Sequence, residues 1–179
     1  MIVLTAGHTG PDTGAQCAAT HFDEGAENIW LRNRIAEILT NDYGVVVLVD
    51  EDEATLQLVK KRIEENAPYI DFVIDLHFNA HTNPNARGSE AIVADDATTL
   101  ELRFASRLAH TTSDALDIPL RCIKSESQTP HHRLAMLHLT PQSIILEVCF
   151  CTSPEDVEAY RNNREKLAAD LALAIYELL

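Results

Sequence analysis

Basic residues are scarce in this chain of 179 residues, which has 14 lysines and arginines against 28 aspartates and glutamates. The formal net charge of −14 at pH 7 repels nucleic acids and anionic membranes, because proteins bind both through basic patches. We therefore expect neither a nucleic acid nor a membrane among the partners of this protein. The simplest alternative is that the charge only keeps the protein soluble.

Long apolar runs and linkers are also missing. No apolar run approaches the roughly 18 residues that a transmembrane helix needs, and the first residues lack the pattern of a secretory signal. No segment is rich in proline, glycine or serine. We therefore predict one domain over residues 1–179, large enough to bury a hydrophobic core.

The four cysteines, Cys17, Cys122, Cys149 and Cys151, form no CxxC pair and no recognisable disulfide framework. Cys149 and Cys151 lie two residues apart in an apolar run, which would place both on one face of a strand. We expect buried free thiols, in a protein that works in a reducing compartment.

Strand-like and helix-like segments alternate along the chain. Apolar, often β-branched runs predict six strands: Ile2–Ala6, Val45–Val49, Ile70–Leu76, Gly88–Ala94, Pro119–Ile123 and Ser143–Val148. Apolar residues at helical spacing predict five helices: Glu27–Leu39, Glu53–Asn66, Thr98–Leu116, Pro154–Tyr160 and Arg164–Leu178. The polar segment Ser125–Arg133 is predicted to be a loop. This alternation predicts an α/β sandwich of three layers, in which helices flank a largely parallel sheet.

Residues that coordinate or titrate lie at the ends of three predicted strands. His8 follows the first strand, His77 follows the third, and Glu147 lies near the end of the sixth. Ligands bind outside the carboxyl ends of parallel strands in open α/β sheets, so these side chains should converge. Glu147 lies in strongly apolar company, where an ionised carboxylate is rarely buried without a partner. A structural ion pair is the alternative role for Glu147.

Two histidines and one carboxylate form a usual catalytic zinc site, which leaves a fourth position for water. The long connection after Gly7 offers Glu24 and Glu27 as the carboxylate, and long ordered connections are usually functional. These glutamates lie three residues apart and can share one helix face, so spacing alone leaves both open. Each candidate also has a simpler role, such as a hydrogen-bonded histidine or a first-turn acid favoured by the helix dipole.

Several motifs follow one another in an order that points to a known family. They are Leu4-Thr5-Ala6-Gly7-His8-Thr9-Gly10, Asp12-Thr13-Gly14-Ala15, Glu24 with Asn28, Leu76-His77-Phe78-Asn79-Ala80, Gly88-Ser89-Glu90, and Leu146-Glu147-Val148-Cys149-Phe150. With them the chain resembles the zinc-dependent N-acetylmuramoyl-L-alanine amidases of the type 3 group, which include clostridial phage endolysin catalytic domains. It departs from many relatives at Thr9, where they have a second glycine. The segment Gln16–Asp23 matches nothing in the family, and Asp12 is expected to cap a turn.

The resemblance implies a single zinc ion bound by His8, Glu24 and His77, with Glu147 as the catalytic base. The family's zinc glutamate precedes an asparagine by four positions, which favours Glu24 over Glu27. The implied reaction is hydrolysis of the amide between N-acetylmuramic acid and L-alanine in peptidoglycan. The implied fold is a mostly parallel, twisted sheet of about six strands flanked by helices.

Other polar residues are candidates for supporting roles. Asp75 and Asn79, on either side of the second zinc histidine, could orient it, because carboxylates often hold ligating histidines. His131, His132 and Arg133 could contact carboxylates of the peptide. A lone strand carboxylate and a solvated loop are the simpler alternatives.

Two other function classes stay open. A zinc carboxypeptidase-like metallopeptidase would use similar ligands and would need an arginine for a terminal carboxylate, with Arg87, Arg121 and Arg133 available. A metal-free binding module of the same fold is the second, and the intact site residues argue against it. The expected partners are the stem peptide and muramic acid of peptidoglycan, with a separate cell-wall-binding module for targeting. We expect synthesis in the cytoplasm and action on the cell wall after release.

Overall fold

The structure, a computed structural model, describes residues 1–9, 14–17, 20–52, 54–83, 85–139 and 142–179. Its elements are β1 (Ile2–Ala6), β2 (Gln16–Cys17), β3 (Phe22–Asp23), α1 (Glu24–Asn41), β4 (Val47–Val49), α2 (Leu56–Asn66), β5 (Phe72–Asn79), β6 (Ser89–Val93), α3 (Thr99–Leu116), β7 (Leu120–Ser125), β8 (Ser143–Phe150) and α4 (Pro154–Leu178). Short 3₁₀ turns lie at Ala67–Tyr69, Glu126–Gln128 and Ala135–His138. The expected turn at Asp12 and the expected helix start at Glu53 lie outside the described residues.

The main sheet has six strands in the order β4-β1-β5-β8-β6-β7, and β2 and β3 form a separate antiparallel pair. Strands β4, β1, β5 and β8 run parallel. Strand β6 is antiparallel to β8 and parallel to β7. The predicted α/β class with a mostly parallel sheet is therefore confirmed. The carboxyl ends of β1, β5 and β8 share one edge of the sheet, beside the amino end of β6.

Helices cover the two faces of the sheet unequally. Helices α1, α3 and α4 pack on one face, where Leu31, Phe104 and Leu171 join the main hydrophobic core. The other face receives α2 and the last 3₁₀ turn, through smaller apolar clusters that include Val59 and Met136. This second face therefore has room for a groove at the edge where the parallel strands end.

Side chains alternate along β5, and its polar residues lie on the face of the sheet that fewer helices cover. Phe72, Ile74 and Leu76 belong to the main core, and successive strand residues point to opposite sides. Asp75 and His77 therefore stand on the face of α2. The same alternation places catalytic candidates and core residues side by side in one strand.

The last helix is continuous, so the prediction of two helices, Pro154–Tyr160 and Arg164–Leu178, was wrong. No glycine or proline separates the two segments, and the Asn163 side-chain NH2 group donates to the Ala159 carbonyl one turn earlier, at 3.0 Å. A polar stretch without a helix breaker was mistaken for a boundary. No helix in the described ranges, α4 included, is both long and apolar enough to cross a membrane.

Cys17 and Cys151 form a disulfide across 134 residues of sequence, so the expectation of free thiols was wrong for this pair. Cys149 is a buried free thiol as expected, whereas Cys122 is free but exposed. Spacing did not indicate the pairing because only the folded chain brings β2 beside the end of β8. The cross-link also removes the reason for inferring a reducing compartment.

Candidate active site

Three side chains meet where β1 and β5 end. His8 follows β1 with a left-handed backbone (φ 58°), Glu24 opens α1, and His77 lies within β5, which continues past the predicted end. Glu24 Oε1 lies 3.8 Å from His8 Nε2 and 3.5 Å from His77 Nδ1. One donor atom from each residue lies within 4.8 Å of the other two. Two imidazole nitrogens and a carboxylate oxygen at this spacing can hold one ion and leave a position open.

Backbone donors fix the Glu24 carboxylate. The amide of Ala15 donates to Oε2 at 2.8 Å, and the amide of Phe78 donates to Oε1 at 3.1 Å. Burial by itself raises the pKa of Glu24, but the hydrogen bond and charge of His77, with the bond from Ala15, lower that pKa below its usual value. Glu24 is therefore ionised at neutral pH, as a metal ligand must be.

Glu27, the alternative carboxylate, belongs to a different cluster. Its Oε2 accepts hydrogen bonds from the Tyr160 hydroxyl and the Arg164 guanidinium, each at 3.1 Å. Both partners lie on α4, so Glu27 fastens α1 to α4. The geometry therefore separates two glutamates that sequence spacing left equivalent.

Asp75 orients the His77 ring. Asp75 Oδ2 lies 3.1 Å from His77 Nε2, and Asp75 Oδ1 accepts from the Thr5 hydroxyl at 2.6 Å. Burial by itself lowers the pKa of His77, but the charge and hydrogen bond of Asp75 raise that pKa well above its usual value. With Asp75 at Nε2, Nδ1 is the ring nitrogen that faces Glu24 Oε1, at 3.5 Å.

Two glycines let the backbone pass close to these side chains. A Cβ atom at Gly7 would lie 2.3 Å from the His77 ring, and one at Gly14 would lie 2.5 Å from Glu24 Oε2. Gly14 also has φ +65°, a conformation that L side chains rarely adopt. Sequence reasoning did not assign these roles, although both glycines stand in the motifs that carry the resemblance.

Glu147 lies beside the three potential ligands, opposite His77 in the register of β5 and β8. Its Oε2 is enclosed and has no hydrogen-bond partner among the described residues. Burial raises the pKa of Glu147 to about 7; the charge of His77 opposes this shift, while those of Glu24 and Glu90 add to it. A carboxyl group in this state can accept or release a proton near neutral pH.

The buried carboxylate of Glu90 faces Glu147 across β6 and β8. Glu90 accepts from the Asn79 amide at 2.7 Å and the Arg121 guanidinium at 2.8 Å, and it pairs with the Lys124 ammonium at 2.5 Å. In the part of the chain that the structure describes, the Asn79 side chain therefore hydrogen-bonds to Glu90 and not to Asp75 or the three potential ligands. Sequence reasoning gave Glu90 and Lys124 no role, and the only signal was the Gly-Ser-Glu motif.

One groove of about 1020 Å³ is lined by the three potential ligands and by Asp75, Asn79, Glu90 and Glu147, whereas Glu27 and His132 are not among its lining residues. The loop after β7 contributes His131 and Arg133 to its wall, and the start of α2 contributes Leu56. Of the three arginines considered for a terminal carboxylate, Arg87 and Arg121 are paired with carboxylates. Arg133 is the one that lines the groove.

Three solved structures are similar to this chain over nearly its whole length. The catalytic domain of CwlV, an N-acetylmuramoyl-L-alanine amidase from Bacillus (Paenibacillus) polymyxa var. colistinus, is 18% identical with a TM-score of 0.80, covering 98% of this chain and 96% of its own. An N-acetylmuramoyl-L-alanine amidase from Clostridium difficile 630 is 24% identical with a TM-score of 0.78, at 99% and 92% coverage. The catalytic domain of the endolysin CD27L, which targets Clostridia difficile, is 22% identical with a TM-score of 0.76, at 98% and 96% coverage.

At these identities the structural likeness shows the fold alone. No curated protein sequence matches the chain. The profile of the Amidase_3 family, whose description is N-acetylmuramoyl-L-alanine amidase, matches residues 2–177. The chain therefore belongs to the Amidase_3 family of N-acetylmuramoyl-L-alanine amidases.

Proposed function

We propose that this protein is a zinc-dependent amidase that hydrolyses the amide between the lactyl group of N-acetylmuramic acid and L-alanine in peptidoglycan. Family membership supports a peptidoglycan amidase activity. The finer proposal is carried by one observation: His8, Glu24 and His77 bring donor atoms within 4.8 Å of one another, with the enclosed carboxyl of Glu147 on the adjacent strand.

The donor set favours zinc over magnesium or calcium, because two of the three donors are nitrogens, whereas magnesium and calcium prefer oxygen ligands. A zinc ion bound by His8, Glu24 and His77 would polarise the amide carbonyl and lower the pKa of a water molecule towards about 7. Asp75 contributes by fixing the orientation of the His77 ring. The buried Glu24 contributes a negative charge that partly balances the ion.

Glu147 is the proposed proton carrier. Its carboxylate takes a proton from the attacking water as the new C–O bond forms, and it gives a proton to the L-alanine nitrogen as the C–N bond breaks. The lactyl carboxylic acid and the free amine are the products, so atoms and charge balance. Positioned acid–base help of this kind typically contributes roughly 10²–10⁴-fold.

The second candidate is a metallopeptidase that removes single amino acids from a peptide's carboxyl end. Arg133 is the observation in its favour, since an arginine on the groove wall can hold a terminal carboxylate. Release of free amino acids from stem peptides would support this reading, whereas release of whole peptides from muramic acid supports the amidase.

The deciding experiment incubates purified peptidoglycan with the metal-loaded protein, with the protein in chelator, and with Glu147→Ala. New L-alanine amino termini are expected only with the metal-loaded wild type. Equal release in chelator would overturn the metal dependence, and free amino acids without new L-alanine termini would overturn the amidase proposal.

Metal content provides a check that does not depend on activity. Elemental analysis of purified wild type should give one zinc per chain, and His77→Ala should lose it. His110→Ala is the matched control, because His110 is an exposed histidine of α3 whose hydrogen bonds within the described ranges go to Ser106. Zinc retained at full stoichiometry by His77→Ala would remove His77 from the ligand set.

Targeting is a separate part of the proposal. A chain with net charge −14 is repelled by anionic wall polymers, so we assign wall binding to a separate module. Sedimentation of this chain with purified cell walls tests the idea. Quantitative co-sedimentation at physiological salt would contradict it.

A further inference from the structure

The wall of the groove beside Glu147 carries a local positive charge on a strongly acidic protein. The segment Thr129–Ala135 contains two histidines and one arginine and no aspartate or glutamate. His131 and Arg133 from this segment line the groove together with the potential metal ligands. The sign of the charge on this wall is thus opposite to that of the whole chain.

Arg133 differs from most arginines of this protein in having its guanidinium available. Arg87 contacts Asp156 at 3.0 Å and Arg121 contacts Glu90 at 2.8 Å. Arg133 is exposed, and no ion pair or side-chain hydrogen bond holds its guanidinium in the part of the chain that the structure describes. Its planar fork is suited to a carboxylate, which it can bind through two parallel hydrogen bonds.

Hydrogen bonds and an ion pair hold the loop that carries Arg133 in place. The buried Glu126 carboxylate accepts from the Leu134 amide and pairs with His138 Nε2, both at 2.7 Å. The His132 ring bonds the Ser127 carbonyl at 3.1 Å. A loop fixed in this way loses little conformational entropy when a ligand binds to it.

The position of the loop indicates which half of the substrate meets Arg133. Leu134 packs against the cluster that contains Ile92 of β6 and Ile145 of β8, so Arg133 lies on the side of the groove where Glu147 stands. Glu147 delivers a proton to the leaving amine in the proposed reaction. The peptide attached to that amine therefore extends towards Arg133, and the sugar lies on the other side.

From these observations we infer that Arg133, with His131 beside it, forms a subsite for a carboxylate on the peptide side of the scissile amide. The inference rests on the proposed amidase function for the direction of the substrate. The ligand class is a stem peptide with a free carboxylate close to the scissile amide. Because L-alanine has no side-chain carboxylate, the second residue is the first position that can carry one. A peptide with a primary amide at that place offers no charge to Arg133, so the enzyme discriminates between the two.

The test uses two muramyl dipeptides that differ only in a free carboxylate or a primary amide on the second residue. Wild type is expected to cleave the acid with a kcat/KM about tenfold higher than the amide, a typical effect of one charge-assisted hydrogen bond. Arg133→Ala should abolish this preference by slowing cleavage of the acid only. Arg133→Lys should retain part of it, because lysine keeps the charge without the fork.

Arg103→Ala is the matched control, since Arg103 is an exposed arginine of α3, which packs on the opposite face of the sheet. It should keep the full preference. Equal cleavage of the two substrates by wild type, or an unchanged preference in Arg133→Ala, would overturn the subsite while leaving the amidase proposal standing.

Binding of the corresponding free peptides, measured by calorimetry, distinguishes the subsite from the reaction. Tighter binding of the acid peptide by wild type, lost in Arg133→Ala, supports the subsite even if neither muramyl dipeptide is cleaved; that outcome would reject the proposed function alone. Equal binding of the acid and amide peptides would reject the subsite.

Discussion

Glu24 and Asp75, on one side of the groove floor, differ from Glu147, on the other side, in how completely their carboxylates are paired. On the side of β1 and β5, Glu24 has two backbone donors, and Asp75 contacts both Thr5 and His77. On the side of β8, Glu147 Oε2 is enclosed without a partner in the described ranges. The partners of Glu24 and Asp75 immobilise these side chains, as ligands of an ion and their supports require, whereas an unpaired carboxyl can gain and lose a proton.

Under the proposed function, this division separates holding of the metal from proton transfer within a few strands of one sheet. His77 and Glu147 are partners in the register of β5 and β8, so the two functions are neighbours in space. Substitutions on one side should therefore leave the property of the other side intact. Each prediction below tests whether that separation holds.

The largest effect is expected for Glu147→Gln. Glutamine has nearly the same shape but cannot take a proton from water, so kcat should fall by roughly 10²–10⁴-fold. Zinc content and affinity should stay at the wild-type level, because Glu147 is not among the three potential ligands. Steady-state kinetics and elemental analysis on the same preparation provide both readings. Loss of zinc together with activity would mean that Glu147 helps to bind the metal, and the contrast between the two sides of the groove floor would then be wrong.

The second prediction concerns the stability of the metal-free protein. The pKa of Glu147 is raised to about 7 in the fold, while an unfolded glutamate titrates near about 4.3. The folded state therefore binds more protons between these values, so the stability that Glu147 contributes is complete below about pH 4.3 and is lost as the pH rises through about 7. In chelator, Glu147→Gln should become more stable than wild type as the pH rises, by at most about 4 kcal/mol.

Urea unfolding at several pH values in that window measures this difference. A difference in unfolding free energy that does not change with pH would refute the prediction. Added zinc should reduce the difference, since a nearby cation favours the ionised carboxylate.

Gly14→Ala tests the side of the groove floor that is proposed to bind the metal. The new Cβ would lie 2.5 Å from Glu24 Oε2, which displaces the ligand or its bond from Ala15. Zinc affinity measured by chelator competition should fall roughly 10–100-fold, as for other losses of support around a ligand. Gly44→Ala is the matched control, because its φ of +67° is close to the +65° of Gly14 and its Cβ would meet nothing within 4 Å. An equal loss of affinity in both variants would attribute the effect to backbone strain.

Much of this site follows from where residues stand along the sequence. The first histidine follows a short apolar strand, and His77 and Glu147 stand near the ends of two others, so parallel strands alone predict their convergence. The choice of Glu24 needed more, because Glu27 has the same chemistry at almost the same place. The family motif favoured Glu24, and the contacts of Glu27 with α4 explain why Glu27 is turned away.

Features that depend on contacts between distant segments could not be predicted in this way. The disulfide of Cys17 and Cys151 joins segments 134 residues apart, and no local sequence pattern indicates which distant cysteines pair. The continuity of α4 was missed because its polar stretch contacts a distant segment: the Arg161 guanidinium donates to the Thr20 and His21 carbonyls. The partners of Glu90 come from β5 and β7, and their grouping requires the strand order of the sheet.

The smallest expected effects compare Asp75→Asn with Asn79→Ala, which replace residues two positions before and after His77. Asp75 contacts His77 at 3.1 Å, so loss of its charge should lower zinc affinity about tenfold, the low end for a residue that orients a ligand. Asn79 donates to Glu90 at 2.7 Å, so its removal should leave zinc affinity unchanged. Its effect should appear in kcat, at about tenfold or less for one lost hydrogen bond.

Both side chains lie on the same strand and face the same groove, and the sequence assigned them the same supporting role. They differ only in which side of the groove floor they contact. Chelator competition and kinetics on the two variants therefore measure the boundary between holding and proton transfer. A loss of zinc affinity in Asn79→Ala equal to that in Asp75→Asn would mean that the whole strand acts as one support, and the division between the two sides would then have no functional meaning.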